Sequence, residues 1–181
     1  MIKKLFAIMC TFALILVFTA CGQTTDPAAT EPTEGTEITT DYTQQGEQAL
    51  ASAQELADSL DQSDITAMLE ANTEHCDQAK RLEKAIGAYM KEHPDITYAH
   101  LIRSTDDSNE KAEFLINWED TDEYWGEEFE MYDEPISALN GTAVYDKEPT
   151  TDEDGTVITG YAPVRIDDKV AVVVCVDYAV K

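Results

Sequence analysis

Thr156-Val157-Ile158-Thr159-Gly160-Tyr161-Ala162-Pro163-Val164, followed after a four-residue break by Lys169-Val170-Ala171-Val172-Val173-Val174-Cys175-Val176-Asp177-Tyr178, decides the fold of this chain. β-Branched and aromatic side chains dominate both stretches, and they suit a pleated, half-buried strand better than a helix. The break contains Asp167-Asp168, a turn pair, so the two stretches read as a hairpin. Val170 to Val174 has no polar alternate, which places its strand at the centre of a sheet, covered on both faces.

Working outward, Pro94 disfavours helix at His93, and after it the apolar period becomes two. Ile96 to Ile102 is one strand, and Ala112 to Trp118 is its hairpin partner across Asp106-Asp107-Ser108-Asn109. Thr142 to Tyr145 is a further strand, and Asp154-Gly155 is the turn that leads into Thr156. A short helix near Pro135 to Leu139 ends at Asn140-Gly141. Before Pro94 the period is three to four. Leu50, Ala53, Leu56, Ala57 and Leu60 make one helix face, and Ser63-Asp64 starts a short piece with Ile65, Met68 and Leu69. Ala79, Leu82, Ile86 and Tyr89 mark a third helix from about Glu74 to Lys91. The expected class is α+β, with N-terminal helices packed on a five-stranded antiparallel sheet.

Ahead of the helices, Lys3-Lys4, the apolar run Leu5 to Phe18 and the small residues Thr19-Ala20 have the three-part layout of a secretory signal. Leu5 to Ala20 is 16 residues, short of the about 20 that cross a hydrocarbon core. Phe18-Thr19-Ala20-Cys21 resembles the lipobox of bacterial lipoproteins, with Phe18 where that family usually has Leu or Val. The resemblance implies removal of residues 1–20 and a diacylglyceryl group on Cys21. Such a domain is held at the cell membrane on its extracytoplasmic side, since two acyl chains at about 0.8 kcal/mol per buried CH₂ anchor durably. Residues 22–45 carry almost no large apolar side chain and read as a disordered tether. The division is a signal at 1–20, lipidated cysteine and tether at 21–45, and one folded domain at 46–181.

Without the signal, ten basic residues face 37 acidic ones, a formal charge of −27. Such a surface repels phosphate backbones and anionic headgroups, so no nucleic-acid partner is expected. Solubility accounts for most of the acids, with cation binding as the alternative. Cys76 and Cys175 are expected to be free, a buried thiol being at home in the apolar strand around Cys175. A disulfide is the alternative, in a compartment that permits one.

Catalytic patterns are missing from the sequence. It has no Gly-x-Ser-x-Gly elbow, no phosphate-cradling glycine loop and no Cys-x-x-Cys pair. His75, His93 and His100 do not fall at metal-ligand spacing. Asp152-Glu153-Asp154-Gly155, aligned to the calcium loop of the EF-hand, puts Thr150 and Tyr161 where carboxylates are required. No catalytic residue, metal or cofactor is expected, and a hydrolase would need two convergent carboxylates with strongly shifted pKa in a cleft. Glu119 to Glu134 holds nine acids with Tyr124, Trp125 and Phe129. It reads as a lid, aromatics on the sheet and acids toward water.

Candidate ligand contacts are polar side chains on apolar strands. Asp177 ends the valine strand, where a carboxylate is costly unless paired or solvated at a pocket. An ion pair with Arg103 is its structural alternative. His100 shares a strand face with Ile96, Tyr98 and Ile102, so a satisfied half-buried histidine competes there with a ligand contact. Tyr161, Trp118 and Arg103 complete the candidate pocket, Arg103 as partner for a ligand carboxylate.

Asp95-Ile96-Thr97-Tyr98 with Arg103, Ala138-Leu139-Asn140-Gly141, Gly160-Tyr161-Ala162-Pro163-Val164 and Val174-Cys175-Val176-Asp177-Tyr178, in that order, resemble the extracytoplasmic Cache sensor domain. That PAS-like fold is found outside bacterial histidine kinases, chemoreceptors and cyclases. The resemblance runs from about Gln48 to Val180. Asn117-Trp118 stands where the family often has Asp, and Cys175 where it often has Gly. The resemblance implies that Asp177 can receive a ligand's amino group, and that a sensor-type domain is here tethered by lipid instead of joined to an output module. The expected function is small-molecule binding in a sensory or solute-binding role. The alternative is a non-enzymatic accessory or scaffold subunit docking a membrane receptor or transporter. An intact cavity with Asp177 at its rim favours the first, and a filled core the second.

Overall fold

In the computed structural model, residues 41–118, 121–152 and 155–181 are described. The signal, Cys21 and residues 22–40 of the tether lie outside them. Five helices are present: α1 (Thr43–Ser59), α2 (Gln62–Ala71), α3 (Asp77–Glu92), α4 (Thr121–Tyr124) and α5 (Asp133–Leu139). The strands are β1 (Ile96–Ser104), β2 (Ala112–Asn117), β3 (Glu128–Phe129), β4 (Val144–Tyr145), β5 (Thr150–Thr151), β6 (Thr156–Ile166) and β7 (Lys169–Ala179). None of the described helices is long and apolar enough to cross a membrane.

The hairpin of β6 and β7 is the spine, in antiparallel register with Tyr161 opposite Cys175 and Thr159 opposite Asp177. Asp167 and Asp168 turn it with φ of 50° and 64°, the left-handed pair that a two-residue hairpin requires and that Asp tolerates. The sheet order is β3-β2-β1-β7-β6-β4, with β5 also on β6. The α+β class and antiparallel sheet are as expected, but the strand count is seven rather than five. β3 and β5 have two residues each, too few to leave a period in the sequence.

The sheet has three bulges, one of them at Ala171 in the β6–β7 hairpin, and the other two re-sort the faces at the site. Thr97 is an extra residue in β1 opposite β7, because Ile96 pairs with Tyr178 and Tyr98 with Asp177. Leu115 is an extra residue in β2, because Leu101 pairs with Ile116 and Ile102 with Phe114. Since side chains alternate across a strand, one inserted residue moves everything beyond it to the other face. Ile96 therefore packs with the helices rather than beside His100, correcting the expected grouping.

One face of the sheet is covered by α1, α2 and α3. Leu56, Ile65, Met68, Leu82, Ile86, Leu101, Leu115, Val172 and Val174 form its core, each with no or almost no exposed surface. α1 lies tight on β6 because Gly160 has no side chain. A Cβ there would sit 2.3 Å from the Ala49 carbonyl carbon. α1 begins at Thr43, inside the segment read as tether, and buries Gly46, Ala49, Ala53 and Leu56. α2 starts from Asp61, whose side chain accepts from the Ser63 and Asp64 amides. α3 ends at Glu92, two residues before Pro94. The opposite face carries a smaller apolar cluster of Ile102, Ala112, Val173, Cys175 and Tyr161 with Ala138 and Leu139 of α5. Beside that cluster no described helix covers the face.

Candidate functional site

The uncovered part of the sheet is the floor of a cavity of about 730 Å³. Register places its floor residues in two rows. Asp177 of β7 and Thr159 of β6 lie side by side, with Asp146 beyond them, held where the Asp146 amide donates to the Thr159 carbonyl at 2.9 Å. The next row holds His100 of β1, Cys175 of β7 and Tyr161 of β6. Phe114 and Phe129 line it on β2 and β3, and Tyr132 and Glu134 line it beside Asp146 and Lys147.

Each deep polar group has a distinct environment. Thr159 Oγ1 donates to Asp177 Oδ1 at 2.7 Å. Burial nevertheless pushes the Asp177 carboxyl up to about 6, against that hydrogen bond. Asp146 is 6% exposed. Its carboxyl is also raised to about 6, by burial and then by the charge of Glu134. Tyr161 and Tyr132 hydroxyls hydrogen-bond each other and reach Asp146 Oδ2 at 3.4 and 3.5 Å. Asp146 Oδ1 has no partner although it is buried. His100, 7% exposed, also has a partnerless buried atom, Nε2. Its pKa is pulled down to about 4 by burial, so it is neutral near pH 7. Buried polar atoms in native proteins are nearly always satisfied by protein or water, so two such atoms lining one cavity make it the candidate site.

The cavity is strongly acidic. Glu128, Glu130, Glu134, Asp146, Glu148, Asp152 and Asp177 line it, against Lys147 as its one described cation. The Glu119 to Glu134 segment behaves as a lid only in part. Phe129 packs on the open face and Trp125 on the helix side, but Glu128, Glu130 and Glu134 rim the cavity instead of simply facing bulk water. No described group of three or more His, Cys, Asp or Glu side chains is placed to hold a metal ion.

Of the five residues named from sequence, three meet here: Asp177, Tyr161 and His100. Trp118 and Arg103 do not. The Leu115 bulge turns Trp118 to the helix side, where its indole lies against Gly87 of α3. Arg103 alternates with Leu101, also to the helix side. Its Nε donates to Glu113 Oε1 at 2.7 Å and its terminal nitrogen to Asn72 Oδ1 at 2.5 Å. An ion pair between Asp177 and Arg103 is therefore not formed. Asp146, Thr159, Tyr132 and Phe114 belong to the site and were not named. Thr159 was reachable from the alternation that places Tyr161, but Asp146 follows a two-residue edge strand that leaves no pattern. Cys76 and Cys175 are free; Cys175 is buried in the cluster on the opposite face, whereas Cys76, expected to be buried too, caps α3 and is only half-buried against the helix-side core.

No protein-family model matches the chain, and no curated protein matches it. Among solved structures, it is similar to the ligand-binding domain of Campylobacter jejuni chemoreceptor Tlp3 in complex with 4-methylisoleucine. That match has a TM-score of 0.37 and 16% identity, and covers 74% of this chain and 59% of the other. The sensory domain of the same chemoreceptor (CcmL), with isoleucine bound, gives a TM-score of 0.33 and 14% identity, with 74% and 60% covered. The chain thus spans about three fifths of those domains. A likeness at that level carries nothing over to the cavity.

Proposed function

We propose that this is a membrane-anchored extracytoplasmic lipoprotein whose Cache-like domain binds a small organic amine, in a sensory or solute-binding role and without chemistry. The observation that supports it most is the pair of buried, partnerless atoms, Asp146 Oδ1 and His100 Nε2, beside Asp177 in one acidic cavity. An ammonium supplies several donors to carboxylate oxygens that lack them, and its charge offsets the burial that raises both Asp pKa values. The rim acids raise the local concentration of cations and hasten their entry. A domain serving only to dock a receptor or transporter would be free to fill this space with side chains, and it is not filled.

The carboxylates meet one condition for a hydrolase, a raised pKa. Thr159 stands between them, its hydroxyl donating to Asp177 and also favouring the charged form of Asp146. Two acids arranged around one donor suit holding a cation between them.

Calorimetry on the full-length protein with tyramine, phenethylamine, putrescine and cadaverine, beside their uncharged alcohol analogues, tests the reading. Amines are expected to bind and alcohols not. In the folded Asp177→Asn protein affinity is expected to fall ten- to a hundredfold, from loss of a charge-assisted hydrogen bond of about 1.5–3 kcal/mol. Binding of the alcohols as tightly as the amines would refute it. The anchor is tested separately, by mass spectrometry of membrane extracts: a diacyl adduct at Cys21 is expected, and is lost in Cys21→Ser.

A further inference from the structure

Among its described residues the cavity has several acids for an ammonium and only Lys147 for a carboxylate. Lys147 Nζ lies 3.8 Å from Glu134 Oε1 and its side chain is 82% exposed. Arg103, the cation that the sequence suggested for a ligand carboxyl, is on the other side of the sheet with Glu113. His100 stays neutral through burial. A ligand's own carboxylate would enter a partly dry, acid-lined space whose one described cation, Lys147, is exposed and already beside Glu134, and like charges brought together there are strongly repelled.

The cavity also has two unlike ends. Phe129, Phe114 and His100 stand on β3, β2 and β1, at the edge and adjoining strands of the sheet order. Their ring centroids are 5.2 to 5.7 Å apart. Asp177, Thr159 and Asp146 stand on β7, β6 and just beyond β4, at the other end of the same order. β2 is two strand spacings from β7, about 10 Å. One ring-to-ring contact covers about 5 Å of that, and a short alkyl arm ending in an ammonium covers the remainder.

We infer that the cavity selects an arylalkylamine lacking a carboxyl group, its ring stacked against the cluster of His100, Phe114 and Phe129 and its ammonium at the Asp177–Thr159–Asp146 row. This rests on the amine-binding reading and narrows its ligand class. His100, on the strand next to that of Asp177, lies between the two ends. The orphaned Asp146 oxygen gains its missing donor from the ammonium.

The test is competition calorimetry on the full-length protein near neutral pH. Tyramine and phenethylamine are set against tyrosine and phenylalanine, and against putrescine and cadaverine. The arylalkylamines are expected to bind about a hundredfold or more tighter than the matching amino acids, and tighter than both diamines. Equal affinity for tyrosine and tyramine would overturn the inference while leaving amine binding intact. So would a preference for the diamines. Failure of every cation to bind would remove both. In the folded Phe114→Leu protein, the tyramine-to-putrescine affinity ratio is expected to fall, and an unchanged ratio would take the ring away from that end.

Discussion

The two faces of the central sheet share strands but not physics. The face under α1, α2 and α3 is filled, and it is so close-packed that Gly160 and Gly87 leave room only for the Ala49 backbone and the Trp118 indole. The other face leaves about 730 Å³ empty, carries orphaned polar atoms, and holds two carboxyls up at about 6. Alternating residues of a single strand serve both: Val172, Val174 and Val176 stabilise, while Asp177 is placed at a cost. Functional sites are commonly built this way, with local destabilisation tolerated because packing elsewhere exceeds it.

The sharpest way to break that contrast is on the packed face. Leu56→Ala is expected to lose about 2–5 kcal/mol, read by urea unfolding, with amine affinity of the remaining folded protein unchanged. Gly160→Ala adds a Cβ against backbone that has nowhere to move, and is expected to lose about 1–3 kcal/mol. Tolerance of both would mean that this face is not the source of stability.

On the open face the sign reverses. The Asp146 carboxyl moves from 3.8 to about 6 on folding, so the folded state binds more protons than the unfolded one across that window. Stability from this group is therefore present at low pH and lost as pH rises through about 6. Asp146→Asn, which carries no charge, is expected to be more stable than the native protein near neutral pH by up to about 3 kcal/mol. The gain should fade below about pH 4. Loss of stability in that variant would show that the carboxylate is satisfied in the folded protein.

Acidification should also weaken ligand binding. As pH falls through about 6, Asp146 and Asp177 take up protons, while Glu134 and neutral His100 face the same cavity. Tyramine affinity measured by calorimetry is expected to drop on the order of tenfold per group between neutral pH and about pH 5. A flat profile would mean that neither carboxylate meets the ammonium. The smallest effect on binding belongs to Arg103→Gln. It removes a part-buried pair with Glu113 and a bond to Asn72 on the far side of the sheet, and is expected to cost about 1–3 kcal/mol of stability and leave amine affinity untouched. A clear loss of affinity would place Arg103 at the ligand after all.

Much of the site was legible wherever simple alternation holds. Asp177 and Tyr161 follow from period two along β7 and β6, and both line the cavity. Trp118 fails for a definable reason, since a single bulge at Leu115 changes the parity of everything after it. Leu115-Ile116 reads in sequence like any apolar pair, and nothing local marks which residue is extra.

By itself, the sequence determined the α+β class, the helix faces, the β6–β7 hairpin and the acidic charge of the chain. These depend on side-chain periodicity and composition, which are local properties of the chain. Only the tertiary structure decided which of the polar residues on the strands share a space. That depends on register, on two bulges and on which strands are neighbours, and those are settled by packing between segments far apart in the chain. Asp146 is the plainest case: an unremarkable acid after a two-residue edge strand becomes a buried carboxylate with an unmet hydrogen bond only when β4 is laid beside β6.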